Sequence, residues 1–272
     1  MKYVRQAIAF FWIALFATIP AHAGMITFSF DTPVTTGPTQ APDTWYTDRY
    51  APAGFTTSGG QLIQTVSADD SASNRPPAFS STFYDTQGRK LDTGTEVVAV
   101  SIDLYVNGSW ATLNQRVAGL WGTAFDDTSN LTSYPIIEFS SEGGVAHFQG
   151  WDDGAWDVYS LPSGFVYDTM HEIGIILNGT NWDYTLDGIV LGSVAALGST
   201  HIENVMLQGY NKWGPNDGRT ASRDIAWDNL TITSNGVPEP ASLAMVLGAM
   251  VLISLSRRKQ KPQQQGLPAP SI

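Results

Sequence analysis

The sequence predicts an all-β protein, a sandwich or a barrel, from three observations on residues 24–236. Turn-forming residues (Gly, Pro, Ser, Thr, Asn and Asp) recur roughly every eight to twelve positions, the spacing typical of such folds. The short runs between them are rich in Val, Ile, Thr, Tyr, Phe and Trp. No long stretch of helical periodicity occurs in this part of the chain. The pattern therefore predicts many short strands joined by turns.

The clearest predicted strand runs from Glu96 to Val106. Its even-numbered positions from Val98 onward are aliphatic, whereas Ser101 and Asp103 occupy the other face. This period of two indicates a half-buried strand, and Asn107-Gly108 predicts the turn that ends it. Further strands are predicted at Met25–Phe30, Gln61–Val66, Phe79–Tyr84, Arg116–Trp121, Ile136–Ser140, Val145–Gly150, Val205–Tyr210 and Ile225–Thr233.

A meander of three strands is predicted between His171 and Val194. Apolar residues alternate with polar ones on either side of Asn178-Gly179 and again up to Asp187-Gly188. Two Asx-Gly pairs between alternating runs are typical of two-residue hairpin turns. The alternating residues are Ile173, Ile175 and Leu177, then Trp182, Tyr184 and Leu186, then Ile189 and Leu191.

The first 23 residues have the order of parts of a secretory signal peptide. Lys2 and Arg5 precede an apolar run over 7–19, and Ala21-His22-Ala23 supplies the small residues of a cleavage site at Ala21 and Ala23. The apolar run is shorter than the ~20 residues that a membrane span needs. We therefore expect export, with cleavage after Ala23.

Charge and composition narrow the partners of the exported part. Residues 24–240 keep all 25 acidic residues, while six of the 14 basic residues lie in the terminal segments, so the formal charge is near −17. Such a charge argues against nucleic acid and against anionic lipid. The chain has no cysteine, which excludes thiolate catalysis and cysteine-ligated zinc. The length of 24–236 suits one β-domain.

The meander resembles part of a concanavalin A-like or laminin-G-like jelly roll. The resemblance lies in His171–Gly179, in Trp182–Gly188 with its Asp-Gly tip, and in Ile189–Gly192, and Ile225–Thr233 is similar to the closing strand of those domains. It covers about the C-terminal half of the exported part. It implies an antiparallel jelly-roll β-sandwich over 24–236, and it says little about activity.

The C-terminal region resembles the PEP-CTERM sorting signal of Gram-negative bacteria. Pro238-Glu239-Pro240 precedes an apolar run, and Arg257-Arg258-Lys259 follows it. The resemblance implies a sorting signal over 237–260, an exosortase-type enzyme that processes it, and release or attachment at the cell surface or in extracellular polysaccharide. The tail over 261–272 is longer than is usual in that family.

The physics of this region agrees with a membrane segment over 241–256. A helix of about 16 residues is about 24 Å long, which is short for a hydrocarbon core of about 30 Å. Arg257 and Arg258 can snorkel to extend it, and they keep the polar tail 261–272 cytoplasmic by the positive-inside rule. We therefore expect a provisional anchor in the inner membrane, with the body outside. A plain C-terminal anchor is the alternative.

No catalytic motif is recognisable in the exported part. A nucleophile elbow, a P-loop and an H-E-x-x-H motif are absent, and so is H-x3-H spacing. Glycoside hydrolases related to the jelly roll carry alternating acids, E-x-D-x-x-E, on one strand, and this pattern is also absent. The sequence therefore predicts that the protein is not an enzyme.

The loop Trp151-Asp152-Asp153-Gly154-Ala155-Trp156-Asp157 is the candidate glycan site. Indole rings stack on sugars, and carboxylates accept hydrogen bonds from hydroxyl groups or bind Ca²⁺. The alternative is a turn between two strands, with Trp156 packed in the core. Weaker candidates for Ca²⁺, the one cofactor left open, are Asp126, Asp127 and Asp217, none of which lies in an EF-hand pattern.

Three functions remain open on the sequence alone. The first is an exported surface or matrix protein that binds polysaccharide through loops of the jelly roll without cleaving it. The second is a secreted glycan-active hydrolase, and the third is a purely structural matrix protein. The absence of the paired acids favours the first over the second.

Overall fold

The all-β architecture predicted from the turn spacing is confirmed. A computed structural model describes residues 24–48, 51–67, 86–210 and 222–235. In these residues there are two short 3-10 turns, Gly108–Thr112 and Glu142–Gly144, and no α-helix. The sixteen strands are β1 (Gly24–Phe28), β2 (Thr36–Gly37), β3 (Trp45–Thr47), β4 (Gly54–Ser58), β5 (Gln61–Val66), β6 (Thr86–Val106), β7 (Arg116–Phe125), β8 (Leu131–Ser133), β9 (Ile136–Ser140), β10 (His147–Trp151), β11 (Trp156–Ser160), β12 (Thr169–Asn178), β13 (Asn181–Leu186), β14 (Ile189–Ala195), β15 (His201–Tyr210) and β16 (Arg223–Ser234).

The strands pair in two layers that share β6. The first sheet has the order β11-β10-β9-β7-β15-β6, and the second continues as β6-β12-β13-β14, with β16 on the other side of β6. All pairs are antiparallel except the short β2–β3 pair. The first part of β6 pairs with β15 and the second part with β12. One long strand therefore connects the two layers.

Side chains from the two layers meet in one apolar core. The largest fully buried side chains include Trp182 and Tyr184 of β13, Trp227 of β16, and Phe139 of β9. Tyr184 donates from its hydroxyl to the carbonyl of Trp151, at 2.6 Å, and so links the second sheet to the first. The burial of these large rings is the main source of stability in a domain without disulfides.

The Asp187-Gly188 turn forms where the sequence predicts it. Asp187 and Gly188 have φ angles of 49° and 74°. Positive φ at both central residues is what a type I′ hairpin turn requires. Asp187 also receives a hydrogen bond from the amide of Glu172, and its other oxygen contacts Nδ1 of His171 at 2.7 Å. His171 is thus held at both ring nitrogens, since Nε2 contacts the carbonyl of Val166. This histidine joins the meander to the preceding loop.

Some predicted elements differ from the structure or lie outside it. Strand β6 begins ten residues before Glu96, at Thr86; the added part is polar, so hydrophobic alternation does not reveal it. The predicted strand Phe79–Tyr84, the signal peptide 1–23 and the sorting signal 237–260 lie outside the described residues. Within the described ranges, we find no helix with the length and apolar character of a membrane span.

Candidate functional site

The face of the first sheet that points away from the core carries an unusual set of polar side chains. On β9, Ile137 and Phe139 point into the core, so Glu138 lies on the opposite face. The same alternation places Gln149 of β10 and Gln208 of β15 beside it. We call this surface, which also carries Arg116 of β7, the first-sheet face.

Glu138 is the centre of a buried hydrogen-bond network. One carboxylate oxygen accepts from Nε of Arg116 and from Nε2 of Gln149 at 2.6 Å. The other accepts from an Nη of Arg116 at 2.7 Å and from Nε2 of Gln208 at 2.5 Å. The side chain of Glu138 is 0% exposed, so these four donors replace its hydration shell.

Two aromatic rings enclose the Arg116 guanidinium. The Cζ atom lies 4.5 Å from the ring centroid of Trp156 on β11 and 4.5 Å from that of Tyr210 on β15. Burial alone would lower the pKa of Arg116, but the charge of Glu138 and its hydrogen bonds overcome this effect and raise it. The guanidinium therefore holds two rings in place while it neutralises the buried carboxylate.

Close packing beneath Glu138 depends on Gly119 of β7, its partner across the strand pair. A Cβ atom at Gly119 would overlap the Cβ atom of Glu138 and the carbonyl of Ile137, and it would lie 2.8 Å from the Cα atom of Glu138. Only glycine lets the two strands approach this closely.

A second glutamate acts on the same guanidinium. Glu142 lies in the 3-10 turn that follows β9, is exposed, and helps to raise the pKa of Arg116 through its charge. Glu138 is thus buried against the cation, and Glu142, four positions further along the chain, is accessible to solvent. Two carboxylates around one position are what glycoside hydrolysis requires.

The predicted loop at Trp151 forms the hairpin between β10 and β11. Trp151 and Trp156 are paired across it, with ring centroids 5.1 Å apart, and both are half-buried on the first-sheet face. Asp152 accepts backbone hydrogen bonds from Ala155 and Gly154, which lower its pKa. Burial raises the pKa of Asp153, which accepts from the amide of Tyr134 at 3.1 Å. Trp156 thus packs on Arg116 and not in the core.

In the residues that it describes, the structure does not bring the candidate Ca²⁺ ligands together. Asp126 accepts hydrogen bonds from the backbone and side chains of Asn130 and Thr128, which hold its pKa well below the ordinary value. Asp127 is exposed in the same loop, and Asp217 lies outside the described residues. The part of the chain that is described has no group of three or more acidic or histidine side chains placed to bind a metal.

Sequence reasoning missed Arg116, Glu138, Gln149 and Gln208. A signal was present in two strands that share an order of residue types, Phe148-Gln149-Gly150-Trp151 and Leu207-Gln208-Gly209-Tyr210. In each, the glutamine points to the first-sheet face and the glycine points inward. A Cβ atom at Gly150 would overlap the ring of Tyr184, and one at Gly209 would lie 2.6 Å from Ile225 Cδ1. A glutamine between core-facing neighbours predicts a buried polar partner on the other face.

Comparison with solved structures identifies proteins with the same architecture. The catalytic domain of an endo-1,3-β-glucanase (laminarinase) from Thermotoga petrophila RKU-1 superposes with a TM-score of 0.54 at 11% identity, over 80% of this chain and 100% of that chain. A non-specific endo-β-1,3(4)-glucanase from family GH16 superposes with a TM-score of 0.53 at 12% identity, over 80% and 97%. These proteins share the fold of the body. The predicted antiparallel jelly-roll sandwich is confirmed at that level.

A third solved structure also shares this architecture. An endo-β-galactosidase from Clostridium perfringens that releases GlcNAcα1-4Gal superposes with a TM-score of 0.53 at 13% identity, over 79% of this chain and 64% of that chain. No protein-family model matches the sequence, and no curated protein matches it.

The prediction that the protein is not an enzyme is corrected by these structures. Several solved proteins with this architecture are glycan hydrolases, so the catalytic alternative is now the better supported one. The prediction depended on the absence of E-x-D-x-x-E from any single strand. A search for that motif does not detect an acid placed as Glu138 is, buried against Arg116, with Glu142 exposed in the turn that follows the same strand.

Proposed function

We propose that this chain is an exported glycan-active hydrolase whose polysaccharide lies across the first-sheet face. The observation that carries the proposal is the ion pair of Glu138 with Arg116 beside the rings of Trp156 and Tyr210, with Glu142 exposed in the turn that follows the same strand. Aromatic faces stack on pyranose rings, and a pair of carboxylates supplies the acid and the nucleophile or base of glycoside hydrolysis. The shared architecture with endo-glucanases supports it.

The two glutamates have different roles in this proposal. Glu142 is exposed, so it can approach a glycosidic oxygen and transfer a proton to or from it. Glu138 is held as the partner of Arg116, and all of its acceptor positions are occupied. It acts on a sugar only when one donor moves away.

The catalytic prediction is tested with isosteric variants of the full chain, purified in a sugar-free non-ionic detergent. Glu142→Gln and Glu138→Gln are each expected to lower the release of reducing ends from a susceptible polysaccharide by at least about 100-fold, the size of general acid–base effects. Glu172→Gln is the matched control, since Glu172 lies on the second sheet and bonds to Ser101. Its activity should stay within about twofold of the parent.

Other outcomes of this experiment contradict the hydrolase. Binding of a polysaccharide without any turnover would leave only a glycan-binding role for the face. Turnover that survives both glutamine substitutions would place the chemistry elsewhere. If the protein neither bound nor cleaved any glycan, the result would favour a purely structural matrix role.

We also propose that the chain is sorted as its C-terminal resemblance implies. The signal peptide 1–23 directs export, the segment 241–256 holds the chain in the inner membrane, and an exosortase-type enzyme cleaves near Pro238-Glu239-Pro240. The body then reaches the cell surface or the extracellular polysaccharide of a Gram-negative bacterium. An exosortase encoded with polysaccharide-synthesis enzymes in the same genome would support this route.

Replacing Pro238, Glu239 and Pro240 by alanine tests the sorting step. The two prolines keep the tripeptide extended and outside the apolar helix, so the variant should remain at full length in the inner-membrane fraction. The parent should appear in a shorter form outside that fraction, as measured by cell fractionation and mass spectrometry. Equal processing of both would reduce the segment to a plain anchor.

A further inference from the structure

The charges on the first-sheet face are unevenly matched. Its two cationic side chains in the described residues are both paired, Arg116 with Glu138 and Lys90 with Asp48 at 2.9 Å. Carboxylates without a cationic partner in the described residues surround them, such as Asp153, and Asp92, which accepts from Tyr46 and Gln40. The face therefore offers no uncompensated positive charge from its described residues.

Acidic side chains also outnumber basic ones over the exported body as a whole. The described residues contain four Lys and Arg side chains, Arg89, Lys90, Arg116 and Arg223, against twenty Asp and Glu. The remaining internal segments do not change this balance, because their acidic and basic residues are equal in number. These are Asp69, Asp70, Asp85 and Asp217 against Arg49, Arg75, Lys212 and Arg219. This excess of negative charge therefore repels a polyanion that comes within the Debye screening length of the protein.

Two buried acceptors on this face, Gln208 Oε1 and Asn204 Oδ1, have no hydrogen-bond partner among the described residues, and Gln208 is the one that contacts Glu138. Gln208 is 0% exposed, its Nε2 donates to Glu138, and its Oε1 accepts from none of the residues that the structure describes. Turning the amide around would bring its oxygen against the Glu138 carboxylate, so the orphan acceptor is not removed by a flip. A buried acceptor without a donor is costly and indicates a missing group that carries N–H or O–H. Tyr210, two residues further along β15, is only half-buried above it.

We propose that the first-sheet face takes a glycan without acidic groups, and that Gln208 Oε1 accepts a hydrogen bond from one of its hydroxyl groups. This inference rests on the proposed function, because it names the substrate class of the same site. Uronic acids and sulfated sugars bring a negative charge for which the described residues of the face offer no free cation. Neutral sugars bring hydroxyl donors, which suit an acceptor-rich face and its aromatic rings.

A matched pair of probes tests the charge rule. The full chain, in a sugar-free non-ionic detergent, is offered a neutral β-glucan and the same glucan oxidised at C6 to carboxylates. The neutral polymer is expected to bind with an affinity that changes less than about twofold between low and high salt, and the oxidised polymer at least about tenfold more weakly at low salt. Equal or tighter binding of the oxidised polymer would overturn the inference while leaving the proposed function intact. Binding of neither polymer, nor of any other neutral glycan, would remove both.

An added cation provides the converse test. Val158 of β11 is 62% exposed and lies opposite Gln149 at the edge of the face. Val158→Lys should increase binding of the oxidised glucan by about fivefold or more, and high salt should abolish the gain. Val158→Gln, which adds polarity without charge, should leave it unchanged. A gain that is equal in both variants would contradict a rule based on charge.

Gln208 is tested against Gln149, its counterpart on the other side of Glu138. Gln208→Leu removes a donor to Glu138 and the orphan acceptor, whereas Gln149→Leu removes a similar donor whose Oε1 already contacts His147 at 3.0 Å. Both variants should lose comparable thermal stability, but Gln208→Leu should weaken neutral-glucan binding about tenfold more than Gln149→Leu does. Equal affinities in the two variants would show that Gln208 Oε1 is not a glycan contact.

Discussion

Replacing Arg116 by methionine is expected to destabilise the protein by about 3–5 kcal/mol, because it leaves the carboxylate of Glu138 buried without its counter-ion. Glu138 is 0% exposed and Arg116 supplies two of its four donors. The two glutamine amides that remain cannot neutralise its charge. The loss is measured as the change in free energy of unfolding in urea, with tryptophan fluorescence as the signal.

A double-mutant cycle separates the ion pair from its surroundings. Glu138→Met should also be strongly destabilising, because it leaves the guanidinium and two amides without an acceptor. The double variant should lose clearly less than the sum of the single variants, with a coupling energy of about 3 kcal/mol. The pair Lys90–Asp48, a contact at 2.9 Å between side chains that are each 18% exposed, is the control and should couple more weakly, by about 1 kcal/mol, because neither of its charges is fully buried. Similar coupling in the two pairs would show that burial does not set the strength of the network.

Gly119→Ala is expected to cost about 3 kcal/mol, a large effect for the addition of one methyl group. The new Cβ atom would overlap backbone and Cβ atoms of β9, which cannot move as a flexible side chain does. Strands β7 and β9 must separate, and Glu138 moves with β9. We therefore expect lower stability together with weaker glycan binding, measured by thermal unfolding and by affinity for a neutral glucan.

Gly122→Ala, on the same strand, is the control for this effect. Its Cβ atom would lie 3.1 Å from Pro135 Cγ and 3.3 Å from Ile202 Cδ1, both of which are side-chain atoms. The expected cost is about 1 kcal/mol, with binding retained. If Gly119→Ala were as mild as Gly122→Ala, the close approach of β7 and β9 would not be what positions Glu138.

The elements that sequence reasoning predicted well are those whose signal is local. Ile136–Ser140 and Gln61–Val66 have the predicted limits, and the Asp187-Gly188 turn forms as expected. Period-two alternation and Asx-Gly pairs depend only on neighbouring residues. The first part of β6 was not predicted, because residues 86–95 are stabilised by pairing with β15, more than a hundred positions away along the chain.

The candidate site shows the same division. The sequence identified the Trp151–Trp156 hairpin, because its aromatic and acidic residues are adjacent. It did not predict that Trp156 would lie over Arg116, since the two residues are 40 positions apart in the chain and sheet pairing brings them together. The absence of a motif on one strand therefore did not exclude a pair of carboxylates.

The sequence by itself determined that the body is all-β, acidic and without cysteine, and where most strands and the Asp187-Gly188 turn lie; the predicted Asn178-Gly179 turn forms one position later, at Gly179-Thr180. Those properties follow from composition and from local alternation. Only the tertiary structure decided that Glu138, Arg116, Gln149 and Gln208 form one buried network beneath two aromatic rings. The reason is that sheet pairing brings side chains together across strands, and no local pattern specifies which strands become neighbours.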